Sequence, residues 1–227
     1  AKGLKPLADF IISQKGGNLE EKAKEFINPE LEVNSVEEAL NGAYDIVAES
    51  ISDNANLRKV LRELLLNKGE IKTKLLESEE NYVYKTYDNF SSPLKTLPSH
   101  RILAINRGEK EKCLKVEIEL NEELALSKIE KEVLKKNSPF EEVLKPICLD
   151  AYNRLILPSI KNEVRNDLTD KANEQAIKMF ELNLKPLLMQ PPLKNKIILG
   201  LDPAYRTGCK IAVIDINGNV LDTTVIY

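Results

Sequence analysis

Asp202 is the residue with the clearest chemical potential in this sequence. It closes an apolar run, 197–201 (IILGL), and opens the loop Asp202-Pro203-Ala204-Tyr205-Arg206-Thr207-Gly208, which leads into a second apolar segment, 209–215 (CKIAVID). A carboxylate at the end of a buried strand is a candidate ligand for a divalent cation. A hydrated hard cation, however, needs several converging carboxylates. Asp202 has no such company here, and Asp215, beside Asn217-Gly218, reads as a turn residue. His100 is the single histidine and lacks a neighbouring cysteine, so it builds neither a metal site nor a Ser/His/Asp set. The three cysteines, Cys113, Cys148 and Cys209, are far apart and without CxxC spacing, which points to a reducing compartment. No catalytic residue, metal or cofactor is expected.

The second chemistry on offer is phosphate binding. Net charge is −3, which does not by itself mark a nucleic-acid binder. The charge is unevenly spread, though: residues 54–74 carry Arg58, Lys59, Arg62, Lys68, Lys72 and Lys74 against Glu63 and Glu70. Arg58 and Arg62 lie one helical turn apart, opposite the leucines of their helix, and either face solvent or touch phosphates. Lys68, in the last turn, joins them as a candidate, as do Arg206 and Lys210 in and after the loop that follows Asp202.

The elements that must carry these residues are mostly helical. Nine glycines stand against long Leu, Ile, Lys and Glu runs, and apolar and charged residues make up 42 % and 30 % of the chain, a globular composition. Residues 4–15 read as a short helix closed by Gly16-Gly17, and Asn18 caps a second that ends at Asn28-Pro29. Ser35 with Glu38 makes a capping box for a helix to about Ser52, and Asp53 is expected to cap the next, which ends with a C′ glycine at Gly69. This pair has the size of a helix-turn-helix element, with 70–76 as its wing. Another helix is expected over 79–90, with its aromatic residues in the core. A helix then opens at Pro98, with His100 packed or hydrogen-bonded near its start. Residues 113–119 (CLKVEIE) alternate as a strand. Helix resumes from 121, with Pro139 and Pro158 at starts or joints. In the run 159–190, apolar residues from Ile160 to Leu188 fall four apart, a helix long enough to bridge parts of a structure. Pro191-Pro192 stops it.

The C-terminal segment then changes period. Strand, Asp, Gly-containing loop, strand, Asn217-Gly218 turn and a third strand over 220–227 is how RNase H-like folds begin. The strings GLDPAYRTGCKIAVID (200–215) and LDTTVIY (221–227) resemble the start of the YqgF-type RNase H-like domain of the Tex family of bacterial transcription accessory proteins. PSHRILAINRGEKEKCL (98–114) and AYDIVAESISDNANLRKVLRELL (43–65) are similar to that family's N-terminal helical region. Where the family commonly has Gly after Asp-Pro, this chain has Ala204. The resemblance implies a parent with a helix-turn-helix-containing helical region, a YqgF-like domain without a working nuclease site, helix-hairpin-helix modules and an S1 domain. It also implies nucleic-acid binding and a role in transcription.

The expected architecture is therefore mainly α: a multi-helix region over 1–192 with a helix-turn-helix-like element and a long helix, then the first strands of an RNase H-like α/β domain over 193–227. With Ala1 at one end and Tyr227 inside a strand at the other, the chain reads as an internal piece of a larger cytoplasmic protein. The leading functional expectation is a non-catalytic scaffold that binds RNA or DNA near the transcription machinery, with Asp202 a vestigial acidic position. It has no association with membranes, and self-association is expected through the exposed edge of its β segment. Two other classes compete: a metal-dependent nuclease or resolvase using Asp202, and a protein–protein adaptor suggested by the long helix and by Leu66.

Overall fold

The protein is described by a computed structural model covering residues 2–76, 79–191 and 193–227. The chain divides into two compact units, one running to Ile177 and the other Lys178–Tyr227.

The first unit opens with α1 (Lys5–Ser13) and α2 (Leu19–Lys24), the latter capped by Asn18, whose side chain accepts from the amides of Glu20 and Glu21. In α3 (Val36–Ser52) the Ser35 hydroxyl accepts from the Glu38 amide at 3.1 Å. Its capping-box partner differs in detail, because the Glu38 carboxylate accepts from the Asn34 amide at 2.7 Å. Asp53 ends α3, and it is Asn54 that caps α4 (Ala55–Lys68), accepting from the Leu57 amide at 3.1 Å. Gly69 follows α4 with extended backbone (φ −77°), not the left-handed turn expected of a C′ glycine. Its missing side chain matters for a different reason: a Cβ there would collide with the Leu65 carbonyl.

Strand β1 (Glu70–Leu75) is not a wing. It is the middle strand of an antiparallel sheet in the order β2-β1-β3, with β2 (Phe90–Pro93) and β3 (Leu114–Glu119) on its two sides. Its alternation buries Ile71 and Thr73 and exposes Glu70, Lys72 and Lys74. The expected helix over 79–90 is a 3₁₀ segment (Glu79–Tyr87) followed by β2, with Asn89 turning the chain at φ 49°. Three residues per turn in place of 3.6 changes which aromatics face inward. Tyr84 is buried and donates to the Glu111 carboxylate at 2.7 Å, while Tyr82 and Val83 are 80 % and 78 % exposed.

Helix α5 (Ser99–Lys110) packs on β3, and His100 is exposed in its first turn. Asn121 caps α6 (Glu122–Val133). Helix α7 (Glu141–Asp150) runs through a π-helical turn (Ala151–Ile156) directly into α8 (Leu157–Leu188). Pro158 thus sits in the first turn of α8, at its joint with the π-helical turn, as expected, although the chain does not break there. In the wide turn before it the Leu157 amide bonds the carbonyl of Tyr152, five residues back, so the chain has already left i→i−4 register where the proline donor is missing.

One apolar core joins Leu7, Ile11, Leu61, Leu65, Leu144 and Ile156 with Ile160, Val164 and Ala172 of α8. Beyond Ala172 the apolar stripe of α8 is uncovered: Ile177, Phe180 and Leu188 are 69 %, 67 % and 73 % exposed. The expected domain boundary rests partly on Pro192, which lies outside the described residues. The division between compact units falls inside α8, after Ile177.

The second unit adds β4 (Ile198–Asp202), β5 (Cys209–Ile214) and β6 (Val220–Ile226), an antiparallel sheet in the order β4-β5-β6. The mainly α architecture with short sheets is as the sequence implied, with β2 as an added strand. Among the described residues no helix is long and apolar enough to cross a membrane.

Burial makes a direct prediction for the thiols. Cys148 is fully buried, and desolvation pushes its pKa up to about 12, whereas Cys113 and Cys209 are partly exposed. Because the thiolate is the reactive species, a thiol-specific disulfide reagent at mildly alkaline pH should titrate Cys113 and Cys209 rapidly. Cys148 should react only after denaturant is added.

Candidate nucleic-acid interface

The two arginines that the sequence offered to phosphates are engaged inside the protein. On α4, Arg58 and Arg62 are four residues apart; on α8, Glu163 and Asp167 repeat the same spacing. Arg58 donates to the Glu163 carboxylate at 2.5 Å and to the Ser159 hydroxyl at 2.6 Å. Arg62 donates to Asp167, whose hydrogen bond and charge raise the guanidinium pKa further. The Nε of Arg62 is buried, without a hydrogen-bond partner among the described residues. The α4 face that a helix-turn-helix would present to DNA is thus occupied by α8.

The seam continues on α5. Arg165 donates to Asn106 at 2.8 Å and to Glu109 at 2.6 Å, Asn106 donates to Thr169 at 2.8 Å, and Ser99 donates to Gln175 at 2.5 Å. Six polar residues of α8 therefore meet two other helices in fixed register. Lys68, at the end of α4, is exposed and takes no part in this seam.

The remaining candidates lie in the second unit. Asp202 pairs in register with Lys210 on the neighbouring strand, and both are exposed. Arg206 is exposed in the intervening loop, which Gly208 closes at φ 77°. Asp215 is consumed by the hairpin. It accepts from the amides of Asn217 and Asn219 at 2.8 Å each and from the Asn219 side chain at 2.9 Å, and these bonds hold its pKa below the usual carboxylate value. Among the described residues, no group of three His, Cys, Asp or Glu side chains is placed to hold a metal ion.

Sequence reasoning passed over the open face of the β2-β1-β3 sheet. There Lys74 stands directly opposite Lys115, and Lys72 stands between Ser91 and Glu117. Lys115 pairs with Glu117 at 2.6 Å and Lys72 with Glu119 at 2.5 Å. Lys74 forms no ion pair among the described residues. The signal was present in the alternation of 70–75 and 114–119, but the register that sets two lysines side by side exists only once the strands pair.

These features define a class: a helical body with charged seams and surfaces, and a second unit built on a three-stranded antiparallel sheet. Comparison with known proteins assigns it. Residues 15–180 match the Tex central region-like family model and residues 196–227 the Tex protein YqgF-like domain. The chain belongs to the Tex family. It is 44 % identical over its whole length to "Uncharacterized protein YdcI" of Bacillus subtilis, covering 32 % of that protein. It is 33 % identical over 99 % of its length to "Transcriptional accessory protein Tex" of Neisseria gonorrhoeae, covering 30 % of it. A more distant relative, 27 % identical over 99 % of the chain and covered to 24 %, is "S1 RNA-binding domain-containing protein 1" of Pongo abelii. The chain thus spans about a third or less of these relatives' length.

The seam predicts measurable coupling. In a double-mutant cycle on Arg58→Ala and Glu163→Ala, urea unfolding should give an interaction energy of about 0.5–1 kcal/mol, as expected of a partly exposed pair. The coupling should shrink in about 1 M salt, where screening acts within roughly 3 Å.

Proposed function

We propose that this chain is a nucleic-acid-binding, non-catalytic scaffold of a transcription accessory protein, with RNA as its first ligand and the transcription machinery as its setting in the cytoplasm. The observation that carries the reading is that both compact units match one family whose named members include a transcriptional accessory protein. The distant relative named for an S1 RNA-binding domain favours RNA over DNA. The non-catalytic part is supported by the surroundings of Asp202: the nearest cross-strand side chain belongs to Lys210, and Asp215 is committed to its turn.

Binding should appear as a salt-dependent affinity for single-stranded RNA, measured on the intact chain by fluorescence anisotropy. Incubation of the same RNA or of DNA with Mg²⁺ or Mn²⁺ should leave it uncut. Cleavage that is abolished by Asp202→Asn would establish the nuclease alternative instead.

The reading includes self-association through the second unit. Strands β4 and β6 are edges of their sheet, and Leu199, Leu201 and Ile226 are 61 %, 54 % and 53 % exposed. Unpaired backbone groups beside exposed apolar side chains tend to recruit another strand. Light scattering should show a mass that rises with concentration. Deleting residues 196–227 should remove that rise and leave the thermal unfolding of the helical body unchanged.

A further inference from the structure

We propose that the lysine end of the open β2-β1-β3 sheet face is a binding site for the sugar–phosphate backbone of single-stranded RNA, an inference that rests on the RNA-binding reading above. The sheet exposes Lys72, Lys74 and Lys115 beside a groove of about 350 Å³ whose lining also includes Asn89, Phe90 and Ser91. Lys74 and Lys115 are direct cross-strand partners. Like charges in that position destabilise a sheet, and Lys74 forms no ion pair among the described residues. A pair of cations held together against their own repulsion is the arrangement an anion between them would stabilise.

The charge along this face is polarised, and the polarity selects the ligand. Lys74 and Lys115 mark one end, and Glu70 and Glu119 face each other at the other end of the same strands. Four residues of β1 separate the ends, roughly 13 Å at the rise of an extended strand. Three strands are about 10 Å wide from outer axis to outer axis, room for one nucleic-acid backbone. A duplex carries a second backbone across a groove of comparable width, and that backbone would meet the carboxylates. One or two successive phosphates of a single strand fit the cationic end without that conflict. Glu117, salt-bridged to Lys115 at 2.6 Å, is then a competitor for the incoming phosphate.

The test uses the intact chain and an oligouridylate of about ten nucleotides, with anisotropy titrations between about 50 and 200 mM salt. Lys74→Gln/Lys115→Gln should lower the log–log salt slope by about 1.4, at roughly 0.7 per single-strand phosphate contact. Glu117→Gln, which removes the competing carboxylate, should tighten binding. The melting temperature of the double variant should stay level or rise, because a repulsive pair has been removed. Lys74→Gln alone, which breaks no ion pair, should lower the slope by about 0.7 and serves if the double variant folds poorly. An unchanged slope in both variants, while the unaltered chain binds, overturns this site and leaves the RNA-binding reading intact. Failure of the unaltered chain to bind the oligouridylate overturns that reading itself. An equal loss on duplex RNA of the same length overturns the assignment to a single strand.

Discussion

The polar seam that α8 makes with α4 and α5 fixes which charges of the first unit are left for a ligand. The energy and the specificity of α8 docking come from different groups. Burying Ile160 and Val164 contributes on the order of 1.5–3 kcal/mol each, whereas a partly exposed ion pair such as Arg58–Glu163 adds at most about 1 kcal/mol. Apolar burial therefore holds the helix down, but three small or branched contacts would tolerate a shift by a turn. The polar ladder does not. Glu163 and Asp167 match Arg58 and Arg62 at equal spacing, and a shift along either helix would leave partly buried charges unpaired.

The same seam determines what surface is left for a ligand. By drawing Arg58 and Arg62 against α8, it neutralises the strongest cationic pair that the helical sequence carries. On the sheet face Lys115 is paired with Glu117 of its own strand, and Lys74 forms no ion pair among the described residues. The π-helical turn ahead of α8 contributes to this division. It carries the chain from α7 into α8 without a break, while Ala151, Tyr152 and Ile156 remain in the core.

The second unit follows a different logic. Its sheet is well specified by its turn, where one carboxylate gathers three donors, but it is poorly covered, with large apolar side chains exposed along β4 and β6. Three strands with little packed against them are marginal in isolation. The second half of α8 has the same character, since its apolar stripe continues at the same spacing after the first core has ended.

Local signals determined most of the architecture by themselves. Asn18 and Ser35 mark helix starts because their side-chain oxygens satisfy amides two or three residues away, an interaction complete within one turn. The alternation of 70–75 and 114–119 and the Asn217-Gly218 turn specify strands for equally local reasons. Family membership was also readable, because the strings at 43–65, 98–114 and 200–215 are contiguous in the chain. Where a local rule had a close competitor it failed: Asn54 displaced Asp53 as a cap, and a 3₁₀ turn displaced an α-helix at 79–87 and left Tyr82 exposed while Tyr84 is buried. Only the tertiary structure decided which charges are available to a ligand. Arg58 meets a carboxylate 105 positions later, and Lys74 meets Lys115 across a strand register. No periodicity within one segment encodes such a meeting, because it depends on how two segments, each complete in itself, are brought together by the core between them.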